Sequence, residues 1–552
     1  MATAGHVDHG KSTLVRVLTG TDPDRFAEEK RRGLTIDLGF AEMAELGIAF
    51  VDVPGHVKFV RNMLAGVGMV DAALFVVDSN EGWKAQSEEH LRILDLIGVD
   101  RGVVALTKAS DPELVELVHL EVAERLAGSG LEAAPVVAVD ALSGVGMNEL
   151  RSALAAVAGE GRRVEPGRSR LWVDRSFPRP GAGTVVTGTL TGGPLRVGDE
   201  VEVGGRPARI RRLQTFGTDT EEATPGSRVA VALVGVDHAE VRRGDALVHP
   251  GRWAPTGRFD AAVTVLGSAP RGVGGRGALA LHVGSAEHPV RLSGRAVAPG
   301  EQGWLRLTIS AALPLQPGDR FVLRDLGDAI TVGGGEVLDV EPVLPLSRAT
   351  PDRSVDRVVA ERGWIRADEL ERLTGERREP NVGTWIIDPS HAETERASLV
   401  ARVEAAGTLG LDIATLDERA RSLLAGTDVV VADGRARLGV DDLEGHPYLA
   451  ALAAAPFDPP KPDLPAGELQ LLLRRGLAVE RDGVVFAPSA VDRAAEIVGD
   501  LLRAHAEGVT TSAVREALGT SRRVVVPLLG LLDSRGFTVR RGDVRLPGPR
   551  FR

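Results

Sequence analysis

The sequence predicts a multidomain chain: an α/β domain on a parallel sheet, then two β-barrels, then tandem winged-helix domains. Three changes of pattern predict this. Residues 1–160 alternate short apolar runs with helical spacings, which is how parallel strands wrapped by helices read. From Leu171 to about Val340, Val- and Leu-rich runs recur every 8–12 residues between Gly-Asp turns, as in small barrels. From about Ser347 the helical period returns, broken by short apolar pairs around Asp-Gly.

In the first part, apolar runs at 48–53, 73–77, 103–106 and 136–139 read as strands. Residues 11–19, 86–97 and 112–126 carry apolar positions three and four apart and read as helices. This domain is expected over 1–165, closed by the Gly-, Arg- and Pro-containing stretch 159–169. The barrels are expected at 170–252 and 253–345, with turns at Val197-Gly198-Asp199, Arg243-Gly244-Asp245 and Pro317-Gly318-Asp319. Residues 346–490 have room for two or three winged-helix units, and 491–552 for a last one. The hairpins that would form wings lie at 429–438 around Asp433-Gly434, at 477–486 around Asp482-Gly483, and at 537–546 around Gly542-Asp543.

Composition narrows the class. No run approaches the ~18 uncharged apolar residues of a membrane span. The absence of cysteine excludes disulfides, thiolate metal sites and cysteine nucleophiles. Residues 1–12 carry a motif in place of an apolar signal core, so a cytoplasmic protein without an export signal is expected. A net charge of -11 argues against a wholly basic nucleic-acid coat but leaves room for local basic patches. All but six of the 66 basic residues are Arg, and five of those Lys lie before residue 109. Lys kept in so Arg-rich a chain points to places that need a compact ammonium.

One such place is Lys11. Gly5-His6-Val7-Asp8-His9-Gly10-Lys11-Ser12 has the spacing G-x4-G-K-[ST], followed by Thr13. Backbone N–H groups of such a loop surround phosphates at a helix N-terminus, the Lys reaches the β- and γ-phosphates, and the Ser hydroxyl binds Mg²⁺. Only Met1–Ala4 precede the loop, where a first strand belongs, so the start is expected to be shortened. The run 48–53 ends in Asp52, followed by Pro54-Gly55-His56. Asp52 at that place can hold the Mg²⁺ shell, the Gly55 N–H can sense a γ-phosphate, and His56 can position the attacking water. Thr35, in Arg32-Gly33-Leu34-Thr35-Ile36, lies where a mobile loop would carry a Mg²⁺-binding hydroxyl; taken alone it is a β-branched strand residue.

Gly5–Ser12, Arg32–Ile36 and Asp52–His56 together resemble the translational GTPases of the elongation factor Tu class. The strings EEKRRGLTIDLGF (28–40), NMLAGVG (62–68) and FVLRDLGDAITVGGGEVLD (321–339) resemble the bacterial selenocysteine-specific elongation factors within that class, as does GFTVRRGD (536–543) more loosely. The resemblance implies a P-loop GTPase domain with GTP and Mg²⁺ as cofactors, and ribosome-stimulated hydrolysis at His56. It also implies a base-reading motif [NT]-K-x-D. Here that run is Thr107-Lys108-Ala109-Ser110-Asp111, with Ser at the Asp position and Asp one place later. Ser cannot accept both guanine hydrogen bonds as a carboxylate does. Either Asp111 slides into the role or it caps the helix that Pro112 begins. The run Asp140-Ala141-Leu142 resembles the family's second base loop, with its first residue changed.

The resemblance places a selenocysteine pocket in the first barrel, on Asp174, Arg175 and Arg243. A selenol is ionised at pH 7 where a serine hydroxyl is neutral, and a permanently charged guanidinium favours the anion. A Coulomb estimate at a surface-like dielectric puts the discrimination at up to about 4 kcal/mol. Asp174 is expected to orient an Arg. Without the family, the same residues read as a surface ion pair and a turn Arg. At the other end, residues 521–552 carry eight Arg against two Asp, a charge of +6. Arg522 and Arg523 open a helix, and Arg540 and Arg541 flank the wing turn. That is a footprint for phosphate or a solvated basic face. The resemblance makes its target a selenocysteine-insertion hairpin in the mRNA, with selenocysteinyl-tRNA and the ribosome as the other partners and UGA recoding as the task. Two other readings stand beside this: a general carrier of the elongation factor Tu type, and a nucleotide-gated RNA-binding regulator. Nothing points to oligomerisation, so a monomer is expected.

Overall fold

The computed structural model describes residues 1–23, 37–54, 62–64, 70–159, 168–438 and 443–551. Thr35, Gly55 and His56 lie outside the described residues. The chain divides into two compact units, Met1–Pro380 and Asn381–Arg552.

The first unit begins with a sheet of β1 (Ala2–Ala4), β2 (Gly39–Met43), β3 (Ile48–Asp52), β4 (Ala73–Asp78), β5 (Gly102–Thr107) and β6 (Val136–Ala138), in spatial order β2-β3-β1-β4-β5-β6. All neighbours are parallel except β2 against β3. Helices α1 (Lys11–Thr19), α2 (Ala85–Ile97), α3 (Pro112–Leu126) and α4 (Met147–Gly159) cover it. β4 and β5 are buried along their whole length, which is why they read as unbroken apolar runs. Leu14, Leu18, Leu150 and Leu154 cover the face of Leu74 and Val76, while Leu91, Leu94, Val118 and Val122 cover that of Phe75 and Val77. Sequence periodicity found α1, α2 and α3 but not β2 or α4.

Two barrels follow in the same unit. Strands Arg170–Arg179, Gly183–Thr191, Glu200–Val203, Arg206–Thr215, Arg228–Val234 and Ala246–Val248 close through antiparallel pairs around Leu171, Val186, Val203, Leu213 and Val231. Strands Thr256–Val265, Leu279–Val283, Ala286–Ser293, Gln302–Leu313, Arg320–Asp325 and Thr331–Asp339 form a second closed barrel. Arg170 ties one to the other, its guanidinium meeting both Asp319 oxygens at 2.6 Å and lying 4.8 Å from the Trp253 ring. Closure leaves neither barrel a free edge for unwanted strand pairing.

In the second unit, helices alternate with the hairpins Val429–Ala432/Arg435–Leu438, Val479–Arg481/Val484–Phe486 and Thr538–Arg541/Val544–Pro547. Asp433 and Gly434, and Asp482 and Gly483, all have positive φ. That is the left-handed pair a two-residue turn requires and the reason Asp-Gly marks these hairpins. The last winged unit joins strand Val509–Thr510, helices Thr511–Leu518 and Arg522–Ser534, and the final hairpin around Val514, Val525 and Leu528. Among the described residues no helix is long and apolar enough to cross a membrane.

The second barrel contains a buried ion pair that tests its stability. Arg306 donates to both oxygens of Asp260, at 2.6 and 2.8 Å, and both residues are buried. Arg306→Ala leaves a buried carboxylate uncompensated. It is expected to cost about 3–5 kcal/mol of that barrel's stability, read as a lowered denaturant midpoint.

Candidate functional site

The phosphate loop joins β1 to α1. Gly5 has φ 125°, and a Cβ there would stand 2.1 Å from the Val76 carbonyl oxygen, so no other residue fits. Gly10, at φ 88°, turns the chain into α1, whose first residue is Lys11. The buried Lys11 ammonium donates to the Gly5 and His6 carbonyls at 3.1 and 2.6 Å, which aims it across the loop. Behind it, Asp52 at the end of β3 is fully buried and accepts from Thr3 at 2.7 Å and from Ser12 at 2.6 Å. A hydroxyl and a carboxylate held this close at the mouth of a loop of backbone amides are a donor set that suits Mg²⁺ and phosphate.

The residues expected to face the base also brace this loop. Thr107 donates to the His9 carbonyl at 2.7 Å. Lys108, at φ 55°, donates to the Asp8 carbonyl at 3.1 Å and stands 2.6 Å from Asp78. Burial opposes ionisation of Asp78, but Lys108 and the Asn80 N–H outweigh it and hold the carboxyl below its ordinary range. Asp111 caps α3, accepting from the Glu113 and Leu114 amides at 3.0 and 3.5 Å. The capping alternative is therefore what its carboxylate does here. Asp140 accepts from the Leu142 amide and the Ser143 hydroxyl, which keep its carboxyl below the ordinary range and shape the loop of Ala141 and Leu142.

Sequence reasoning missed the supports of the loop on α2. His90 accepts the Gly5 N–H through Nδ1 at 3.0 Å, and Gln86 accepts that of Val7 at 3.0 Å. They sit in an ordinary amphipathic helix with no motif to flag them. Burial, with the nearby Lys11 and His6, lowers His90 to about 3 and His9 to about 4, so both are neutral at pH 7.

At the first barrel, a bulge between Val173 and Arg175 sets two residues opposite one. The turn before Asp245 lies alongside, since Gly244 donates to the Val173 carbonyl at 3.0 Å. This brings Arg243 to the same place as Arg175. Both reach Asp37, at 3.4 and 4.0 Å, and Arg175 donates to the Leu38 carbonyl. Asp174 turns instead to Arg228, accepting from its Nη2 at 3.0 Å on both oxygens, and from Thr187. Arg228 and Arg175 stack over Phe40, 3.6 and 4.6 Å from its centre. The arginine that Asp174 orients is therefore Arg228. The sequence could not reveal it, because Arg228 and Phe40 are remote in the chain.

Among the described residues of 521–551 the arginines differ in partner. Arg545 is buried on Asp533 and Thr511, and Arg535 pairs with Asp492. Arg540 donates to the Gly542 carbonyl at the wing turn. Arg522, Arg523, Arg540 and Arg541 are all exposed, on the helix start and the wing.

The buried histidines give a pH dependence whose sign is fixed. Unfolded, they take up protons below about 6.5; folded, they resist down to about 4 for His9 and about 3 for His90. Their stabilisation is full above pH 6.5 and is lost as pH falls toward 4. His90→Gln keeps an acceptor for Gly5. It is expected to make the fall in unfolding free energy between pH 6 and 4 shallower, by up to about 1.4 kcal/mol per pH unit.

Three family models match the chain. The elongation factor Tu GTP-binding domain matches residues 1–159, elongation factor Tu domain 2 matches 183–248, and the winged helix of elongation factor SelB matches 500–546. A selenocysteine-specific elongation factor of Desulfomicrobium baculatum is 40% identical over 370 residues, 64% of this chain and 57% of that protein. The chain thus aligns with less than two thirds of that relative's length. Elongation factor Tu 2 of Streptomyces avermitilis is 37% identical over 62% of this chain and 96% of that protein. A crystal structure of a bacterial selenocysteine-specific elongation factor superposes with a TM-score of 0.69 at 25% identity, over 99% of both chains. With phosphate loop, barrels and winged tail all matched, the chain belongs to the translational GTPases of the elongation factor Tu class, as a homologue of its selenocysteine-specific members.

Proposed function

We propose that this protein binds GTP and Mg²⁺, carries selenocysteinyl-tRNA to the ribosome at recoded UGA codons, and is guided there by an mRNA hairpin held on the last winged unit. The observation that carries the reading is the division of the chain. The match to elongation factor Tu 2 takes in nearly all of that protein but 62% of this chain, while a winged-helix model named for SelB matches 500–546. A carrier with an added basic winged unit is one that needs a second address besides the codon.

Lys11 would contact the β- and γ-phosphates, and Ser12, Asp52 and Thr35 would hold the metal shell. Mg²⁺ supplies charge neutralisation on the phosphates when bound. Gly55 would sense the γ-phosphate, and His56 would orient water once the ribosome completes the arrangement. Arg175 and Arg243 would favour the ionised selenol over a serine hydroxyl. Arg522, Arg523, Arg540 and Arg541 would bind RNA phosphates, with unstacked loop bases supplying sequence.

Protection of the aminoacyl ester tests the central claim. With a non-hydrolysable GTP analogue, selenocysteinyl-tRNA is expected to deacylate slowly and the same tRNA carrying serine at its free rate. Equal protection would indicate a general carrier; protection of neither, with GTP bound, a nucleotide-gated RNA-binding protein. His56→Ala is expected to keep GTP affinity and lower ribosome-stimulated hydrolysis at least about 100-fold in single turnover. Arg522→Ala with Arg541→Ala is expected to weaken hairpin binding and reduce the slope of log affinity against log salt by about 1–2.

A further inference from the structure

One carbonyl oxygen gathers three parts of the molecule at the first barrel. Val173 faces Gly188 and Arg175 faces Thr187, so Asp174 is the extra residue of the bulge. Such a residue is left out of the strand ladder, and its backbone needs another anchor. The Val173 carbonyl supplies one. It accepts the Gly244 N–H at 3.0 Å, which ties in the turn that carries Arg243. It also accepts the Ser285 hydroxyl at 2.7 Å, and Ser285 belongs to the second barrel. A peptide unit is planar, so aiming the Val173 carbonyl also aims the Asp174 N–H and the chain that leads to Arg175.

A two-residue turn places Ser285. Strands Leu279–Val283 and Ala286–Ser293 pair as far as Val283 and Ala286, which leaves Gly284 and Ser285 to close the hairpin. Gly284 has φ 55°, and a Cβ on it would stand 2.4 Å from the Trp172 ring. No side chain fits there, so the turn seats against the residue just before Val173. A Cβ on Gly244 would come 3.0 Å from the Ala286 Cα, so the turn that carries Arg243 meets the same hairpin. Ser285 is buried, where losing a hydrogen bond is costly. Arg170 on Asp319 already joins the two barrels, so the Ser285 bond is not needed to hold them together.

We infer that Ser285 is a positioning residue of the selenocysteine pocket: from the second barrel it fixes the peptide that sets Asp174, Arg175 and Arg243 in relation to one another. The inference rests on the delivery reading and extends the support of the pocket to a barrel that holds none of its arginines. A guanidinium selects an ionised selenol only where it is held in place, because a charge-assisted hydrogen bond is short and directional. A neutral hydroxyl draws less from the arginines. Loosening the bulge therefore costs the anion more than it costs the hydroxyl.

The test is ester protection titrated with the full chain and a non-hydrolysable GTP analogue. It compares wild type, Ser285→Ala and Ser285→Thr, each with selenocysteinyl- and seryl-tRNA. Ser285→Ala removes the donor. It is expected to weaken binding of the selenocysteine form about two- to tenfold, the range of one lost hydrogen bond, and to leave the serine form unchanged. Ser285→Thr keeps the hydroxyl and is expected to keep the wild-type ratio of the two affinities. Binding of the GTP analogue is expected to be unchanged in both variants, which shows that they are folded. An unchanged ratio in Ser285→Ala overturns the inference, and equal weakening of both forms makes Ser285 a fastener between barrels and nothing more. A ratio in Ser285→Thr as low as in Ser285→Ala overturns it too. If wild type itself does not distinguish the two forms, the delivery reading has failed in an arm that contains no variant, and this inference falls with it.

Discussion

Burial of the Asp52 carboxylate is the constraint around which the first domain is arranged. A charge taken fully out of water is tolerated only with strong donors in fixed positions. Its donors include Thr3 from β1 and Ser12 from α1, while Asp52 itself ends β3. Three elements are thereby pinned at the point where the phosphate loop opens. Thr3 also accepts the Val53 amide at 3.1 Å, so the chain leaving the strand starts from a set position. The loop presents backbone amides to phosphate, and its own Lys11 bonds two of its carbonyls. It is fixed from beneath by Asp52 and from the side by Thr107 and Lys108.

Helix α2 extends this arrangement. Its Gln86 and His90 hold the Val7 and Gly5 amides, while Glu89 on the same helix accepts from Thr331 of the second barrel at 3.3 Å. A Cβ at Gly334 would come within 3.2 Å of Leu96, so barrel and helix pack with little space between them. One rigid element is in contact with both the nucleotide loop and a barrel. A shift of either is felt at the other, because close-packed interfaces move as units and do not deform gradually.

Much of this was legible in the sequence, and the rest was hidden for identifiable reasons. The helices at 11–19 and 112–126 read correctly because their ends carry strong signals: the Gly10 turn before one, and Asp111 with Pro112 before the other. The wings read correctly because Asp-Gly serves a left-handed turn. Strand β2 was missed since GFAEM carries too little apolar alternation; it holds its place by pairing with β3. The phosphate loop is a local motif, so it could be read from spacing alone. The arginine cluster could not, since Arg175, Arg228 and Arg243 depend on Asp37, Phe40 and Asp174, which only folding brings near.

The arginines show why pairing, and not count, carries the meaning in such a chain. Composition makes Arg the default cation, so its presence at a position says little. Arg306 on Asp260, Arg170 on Asp319 and Arg545 on Asp533 are held by buried or half-buried carboxylates and act as internal struts. They cannot turn to a ligand without leaving a charge stranded, which opposes any such movement by several kcal/mol. Arg522 and Arg523, exposed at the start of a helix whose other face is buried, carry no such obligation, and RNA phosphates would take them at the cost of displaced counterions alone. Arg175 and Arg243 stand between these limits. Both are partly exposed, both meet Asp37, and each also has a backbone carbonyl within reach, Leu38 for Arg175 and Asn62 for Arg243.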